Sequence, residues 1–442
     1  MSSKTSKHAL LGPSIANFSV QYNFQVIAIA LAIAQRDMPQ ETWVKTQDKS
    51  VIFIGCILGQ FLMGYAGDLV GRTKALSLTL SLAVLGAVGS SLGPWGDVTD
   101  VYTTIIAFRF VIGFGLGGVY PLSATKAAEA ESGDAAASTE AEKRADAIAR
   151  SSSAFFWQGP GMCAPYLLAV VLRASLKSQQ QGFQWRLLLG AGALPALAVV
   201  LMSDAKSDAS STGAAATNAS LRDALRDAKV WKQFAGTGGG WFLYDIAFYG
   251  FGLMGPSIVQ QCFHGSDSVE TTSWQQLVAL AFSVPAMLAT VWALNRKLCG
   301  VKRMQVFGFY LMAASYLLYI VLRVLDVSPW VLYGCYCLLN FTLNFGPNVT
   351  TFVLPSATYP REMRSSMNGL SSAAGKLGAV LGTELLPTLE LSYNLNVVLF
   401  FCMATCVAGA LLTSWAVDDD EPDRAKADPS LEAPLVVNAD TV

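Results

Sequence analysis

The stretch WFLYDIAFYG, residues 241–250, places one carboxylate, Asp245, inside a run that is otherwise apolar. Its flanks, GTGGG before and FGLMGPSIV after, are uncharged as well. A charged side chain at membrane depth costs roughly 2.5–3.5 kcal/mol on insertion scales, so it persists only where something compensates. Composition decides whether this run is in a membrane. Only 14% of the residues are charged, 53% are hydrophobic, and the mean hydropathy is +0.43. Water-soluble domains carry about 25% charged residues. A chain of 442 residues with so little charge cannot cover a surface in water. The net charge of −1 gives no reason to expect a nucleic-acid partner.

A helix needs about 20 mostly apolar residues to cross a bilayer. Such runs occur near 14–35, 50–67, 74–93, 100–124, 148–172, 184–203, 232–261, 274–294, 304–323, 329–355, 364–388 and 393–416. The expected fold class is therefore an all-α membrane protein with 12 transmembrane helices. They divide six and six around the polar interval 204–231, whose SDASSTGAAATNAS reads as a flexible linker. The expected organisation is a cytosolic tail at 1–13, one bundle at 14–203, the linker at 204–231, a second bundle at 232–416, and a disordered cytosolic tail at 417–442. With both termini in the cytoplasm, about 21 Lys and Arg lie on that side and about 7 outside, the orientation that the positive-inside rule favours. Arg109 and Lys376 fall within spans. No cleavable signal pattern is expected, because the first apolar run is too long for one.

The two halves echo each other. GYAGDLVGRTKAL (64–76) follows the second span and NRKLCGVKRMQV (295–306) the eighth, each with Gly and basic residues at a cytosolic turn. Such weak duplication is what a two-half transporter leaves. Eight cysteines lie without metal or disulfide spacing and read as packing residues. His8 and His264 fall in a tail and a loop, so neither a metal nor another cofactor is expected. No Ser/His/Asp, Cys/His or metal constellation suggests an enzyme.

G-x-x-x-D-x-x-G-R-x-K at 64–74 resembles the loop motif of the major facilitator superfamily, and RFVIGFGLGGVYP (109–121) resembles the signature of its fourth span. GGVYPLSAT (117–125), FFWQGPG (155–161), GGWFLYDIAFYG (239–250), NFGPNVTTFVLP (344–355) and PREMRSSMNGLSSAAGKLGAVLG (360–382) resemble the phosphate:proton symporter family. The resemblance implies two pseudo-symmetric six-helix bundles, inorganic phosphate and protons as ligands, and the plasma membrane as location. The oligomeric state is open.

Trp241, Asp245 and Tyr249 recur at i, i+4, i+8 and share a helix face. Trp and Tyr there suit packing or interface anchoring as well as a cavity. Lys376 lies in a small-residue helix and needs an acid or an anion, and Asp245 is the obvious protein partner. The resemblance implies phosphate contacts at Trp241, Asp245, Tyr249, Tyr120 and Gln158, and at Asn344 or Asn348; interhelical hydrogen bonding suits the asparagines equally. Protons would couple through Asp245. Gly64, Asp68, Gly71 and Arg72 resemble the gating turn, and Arg109 reads as a structural residue of the signature. The glycines of GFGLGG (113–118) read as permitting close helix approach.

The chain departs from the family where acids are usual: Val119 interrupts G-G-D-Y-P, Val20 and Asn23 stand in the first span, and Pro355-Ser356-Ala357 replaces P-A-E. Asp245 is thereby left to couple protons nearly alone, with Glu384 as a possible replacement. Two other readings stay open: a major facilitator transporter of a sugar, organic anion or organic ion, and a phosphate-binding sensor with little transport.

Overall fold

In hydrocarbon, a backbone must satisfy its own N–H and C=O groups, which makes each long apolar run helical. The computed structural model describes residues 2–35, 38–39, 42–93, 96–129, 140–176, 181–202, 226–263, 269–359 and 364–418, and these contain helices without a strand. The first half comprises α1 (Ser2–Ala34), α2 (Thr42–Val70), α3 (Arg72–Ser91), α4 (Val98–Gly117), α5 (Val119–Glu129), α6 (Glu140–Phe155), α7 (Gln158–Ser175), α8 (Gln181–Ala191) and α9 (Ala193–Met202). The second comprises α10 (Ala228–Phe234), a π-helical turn at Ala235–Gly239, α11 (Gly240–Gly252), α12 (Gly255–Cys262), α13 (Val269–Ala281), α14 (Ser283–Asn295), α15 (Val301–Val324), α16 (Pro329–Asn344), α17 (Pro347–Thr358), α18 (Arg364–Ser392) and α19 (Leu395–Ala416).

Among the described residues, eight helical stretches are long and apolar enough to cross a membrane, or nine if the pair α10–α12, bent by 54°, is one span. The sequence led to an expectation of twelve. Three expected spans are not among them: of α2 the described apolar stretch is only Ser50–Met63, α16 and α17 are short pieces of 16 and 12 residues separated at Phe345–Gly346, and α18 mixes Lys376 and Glu384 with many Ser and Gly. Helices that face a polar interior score poorly as hydrocarbon spans. Most of the linker and the tail beyond Asp418 lie outside the described residues, as does His264. Ala228 is already helical, ahead of the expected start of the second bundle at 232.

Polarity is distributed inside out. Leu58, Leu62, Leu85, Phe307, Leu317, Phe400 and Leu411 are exposed, while Asn17, Gln21, Asn23, Gln60, Arg109, Gln158, Asp245 and Lys376 are buried. That arrangement suits lipid outside and a polar interior. The halves meet where α2 packs on α18 and α7 on α13, with α6 against α17.

Two close crossings set the site. Gly113 and Gly117 of α4 lie so near the Ile52 and Cys56 carbonyls of α2 that a Cβ on either would overlap them, as the signature glycines suggested. In the second half Gly378 and Gly382 of α18 meet the Phe242 and Ile246 carbonyls of α11 in the same way. The latter crossing brings the helix of Lys376 onto the helix of Asp245. Overpacking such a contact costs about 1–3 kcal/mol or more. Gly378→Val should therefore lower the melting temperature of the purified protein, while Gly334→Ala, into open space, should leave it unchanged; thermal unfolding in detergent checks both.

Candidate functional site

The run of glycines before Trp241 forms the π turn, a local irregularity of the kind often found at functional sites. The helix then continues regularly through Trp241, Asp245 and Tyr249, all buried. From α18, Lys376 reaches across and its Nζ donates to Asp245 Oδ2 at 2.8 Å. Neither side chain is more than 2% exposed. The carboxylate of the opening stretch is compensated by an ammonium on the helix that glycines bring alongside.

Lys376 also sits among four aromatic rings. Its Nζ lies 4.2 Å from the centre of Tyr249, 5.1 Å from Tyr120, 5.5 Å from Phe24 and 5.8 Å from Phe53. Desolvated cation–π contacts are worth about 2 kcal/mol each. Three of these rings come from the first half and one from the second, so the ammonium is held exactly where the halves meet. The Tyr120 and Tyr249 hydroxyls are 3.5 Å apart, joining the halves again. Trp241 packs edge-on to Tyr120 at 5.9 Å, with Gly375 under its indole.

The expected amides form a separate group. Gln158 donates to Asn17 at 3.0 Å, and Asn17 donates to the Pro13 carbonyl at 2.9 Å. Asn348 donates to Asn344 Oδ1 at 2.6 Å across the break at Gly346, and Asn344 donates to the Asn340 carbonyl at 2.8 Å. Asn348 also approaches Met287 Sδ, the atom beside Gly159. Phe352, one helical turn beyond Asn348, packs between Tyr120 of the cage and Phe155. Arg109 is fully buried and donates to the Asn23 carbonyl at 2.7 Å, a helix-to-helix tie. Glu384 is only half-buried and lies eight residues beyond Lys376 on α18. The side chains of Asp68 and Arg72, and Gly64, lie outside those described; Gly71 takes φ 93° at the turn between α2 and α3.

Phe24, Phe53, Gln21 and Asn17 belong to this region but were not singled out from sequence. The signal for the amides was available: uncharged polar residues repeating along a first span that should be apolar. Phe24 and Phe53 carry no such signal, because a cage wall and a packing residue are the same residue type.

The model of the Major Facilitator Superfamily matches residues 13–383. The chain belongs to that superfamily. It is 36% identical over 418 residues to inorganic phosphate transporter PT2 of Toxoplasma gondii, covering 93% of this chain and 72% of the relative. Low affinity inorganic phosphate transporter 4 of Lotus japonicus is 31% identical over 393 residues, 75% of this chain and 72% of that one. These place the chain among the inorganic phosphate transporters of the superfamily, multi-pass membrane proteins rather than enzymes. The fold matches the proton:xylose symporter XylE with a TM-score of 0.74, over 95% of this chain and 97% of that one, at 15% identity. That identity speaks for shared architecture alone.

Removing one partner of a buried pair strands the other charge at a cost of about 3–5 kcal/mol. Lys376→Ala should therefore melt well below wild type, and the double variant Lys376→Met with Asp245→Asn should recover most of the loss. Parallel melting curves of the two check this.

Proposed function

We propose that the chain moves inorganic phosphate across a membrane by alternating access, with a proton carried on Asp245. The observation that carries this reading is the buried Lys376–Asp245 pair, caged by rings from both halves. With Asp245 ionised, its oxygen occupies the ammonium and repels an anion. A proton on Asp245 removes that charge, frees Lys376 for a phosphate oxygen, and supplies an O–H donor. Proton and anion then bind together and leave together. The substrate class is taken from the relatives named inorganic phosphate transporters, and it fits a cation with hydroxyls and amides around it.

Twelve spans are part of the same reading, with residues 14–203 and 232–416 as the two bundles, both termini cytosolic, and the plasma membrane as location. An interruption supports it: α16–α17 breaks at Gly346, whose φ is 83°, just before Asn348. It falls in the tenth span, and a discontinuous helix of that kind marks a transporter's central site. Tyr120, Gln158, Trp241, Tyr249, Asn344, Asn348 and Lys376 are the proposed phosphate contacts. Gly64, Asp68, Gly71, Arg72 and Arg109 are assigned to gating and structure.

Phosphate uptake into liposomes with and without an imposed pH gradient tests the reading. Wild type should accumulate phosphate under an inward proton gradient, and Asp245→Asn should lose that dependence. Gradient-driven uptake that survives in Asp245→Asn would exclude the coupling role. Lys376→Ala should weaken phosphate binding by about tenfold or more, and wild-type affinity in that variant would remove it from the site.

A further inference from the structure

The first helix brings a polar residue to the chamber that neither its motifs nor its relatives assign. Gln21 is fully buried. Its Oε1 accepts from the Tyr249 hydroxyl at 3.5 Å, while its Nε2 has no hydrogen-bond partner. Other amides nearby use their nitrogens internally: Asn17 on Pro13, Asn23 on the Ser19 and Gly192 carbonyls at 2.9 and 3.1 Å, and Gln158 on Asn17. A buried N–H without a partner is unfavourable, and such a donor is open to a ligand oxygen that reaches it.

Position tells what that function is. Tyr249, to which Gln21 is tied, is the ring nearest to Lys376, and Phe24, one helical turn along α1, is another wall of the same cage. A Cβ on Gly161 would lie 3.2 Å from Gln21 Cβ, so α7 closes tightly behind the base of this side chain. The titratable group in contact with the amide is Tyr249, and Tyr120 and the Lys376–Asp245 pair lie against Tyr249 in turn.

Building on the phosphate reading, we propose that Gln21 is an anion-positioning residue whose Nε2–H donates to a phosphate oxygen. The amide cannot repel the anion, unlike the acids usual in this span of the family, and it needs no proton to act. Phosphate held by Gln21 and Tyr120 from one half and Lys376 from the other bridges the halves. The anion itself thereby favours the closed state.

The test uses the full chain in liposomes, with phosphate as the probe, comparing wild type, Gln21→Met and Gln21→Glu. Gln21→Glu keeps an acceptor for Tyr249 and replaces the donor by a carboxylate. Both variants should raise KM for phosphate by about tenfold or more, the value of one hydrogen bond to a charged group, with little change in maximal rate, and Gln21→Met with little change in melting temperature. The Gln21→Glu defect, taken as a ratio to wild type, should shrink as pH falls, because the protonated carboxyl regains an O–H donor. A packing role predicts instead a lower melting temperature for Gln21→Met and a Gln21→Glu defect indifferent to pH, and that result overturns the inference. Variants with unchanged KM overturn it too. If wild type takes up no phosphate, the functional reading fails and this inference with it; if wild type does and the variants match it, this inference alone fails.

Discussion

Every feature of the central region answers to one constraint: two opposite charges, Lys376 and Asp245, held together where water is excluded. Taking both ions out of water is expensive, and their attraction offsets that only when the contact is close and further groups surround it. The 2.8 Å approach supplies the first condition. The rings of Tyr249, Tyr120, Phe24 and Phe53 supply the second, presenting their negative faces to the ammonium without offering a competing charge. Under the proposed mechanism such an arrangement is stable yet convertible, because one proton or one anion changes which partner the ammonium prefers.

The scaffold exists to make that contact possible. Lys376 reaches Asp245 because Gly378 and Gly382 let α18 lie against the backbone of α11. The signature glycines of α4 do the same for α2, whose Phe53 walls the cage and whose length packs on α18 across the halves. Small residues thus act at a distance, setting where the aromatic walls stand. The amides Gln158, Asn17, Asn344 and Asn348 hold the adjoining region through bonds to one another. Phe352, one helical turn beyond Asn348, packs on Tyr120 of the cage.

Several of these relations were legible in the residues. The stripe of Trp241, Asp245 and Tyr249 follows from helical spacing, and Lys376 in a small-residue helix plainly demanded an acid or an anion. The close approach at GFGLGG could be anticipated because glycines at helical intervals have little other use in lipid. Other features were not readable. The breaks at Phe345–Gly346 and Leu253–Met254 fall inside runs that look continuous in hydropathy. Phe24 and Phe53 look like any core residue, and Gln21 is one polar residue among several in FSVQYNF.

By itself, the sequence determined the solvent, the helical periodicity, and the need for a buried acid and a buried base to compensate each other. Those properties depend on composition and on spacing within one helix. Tertiary structure decided which amides keep an unused donor, which rings enclose the ammonium, and that the cage draws on both halves. Those are contacts between residues more than a hundred positions apart, from Gln21 to Tyr249 and from Tyr120 to Lys376. Local pattern carries no information about which faces of separate helices will meet; only backbone approach, set by glycines and side-chain volume, selects them.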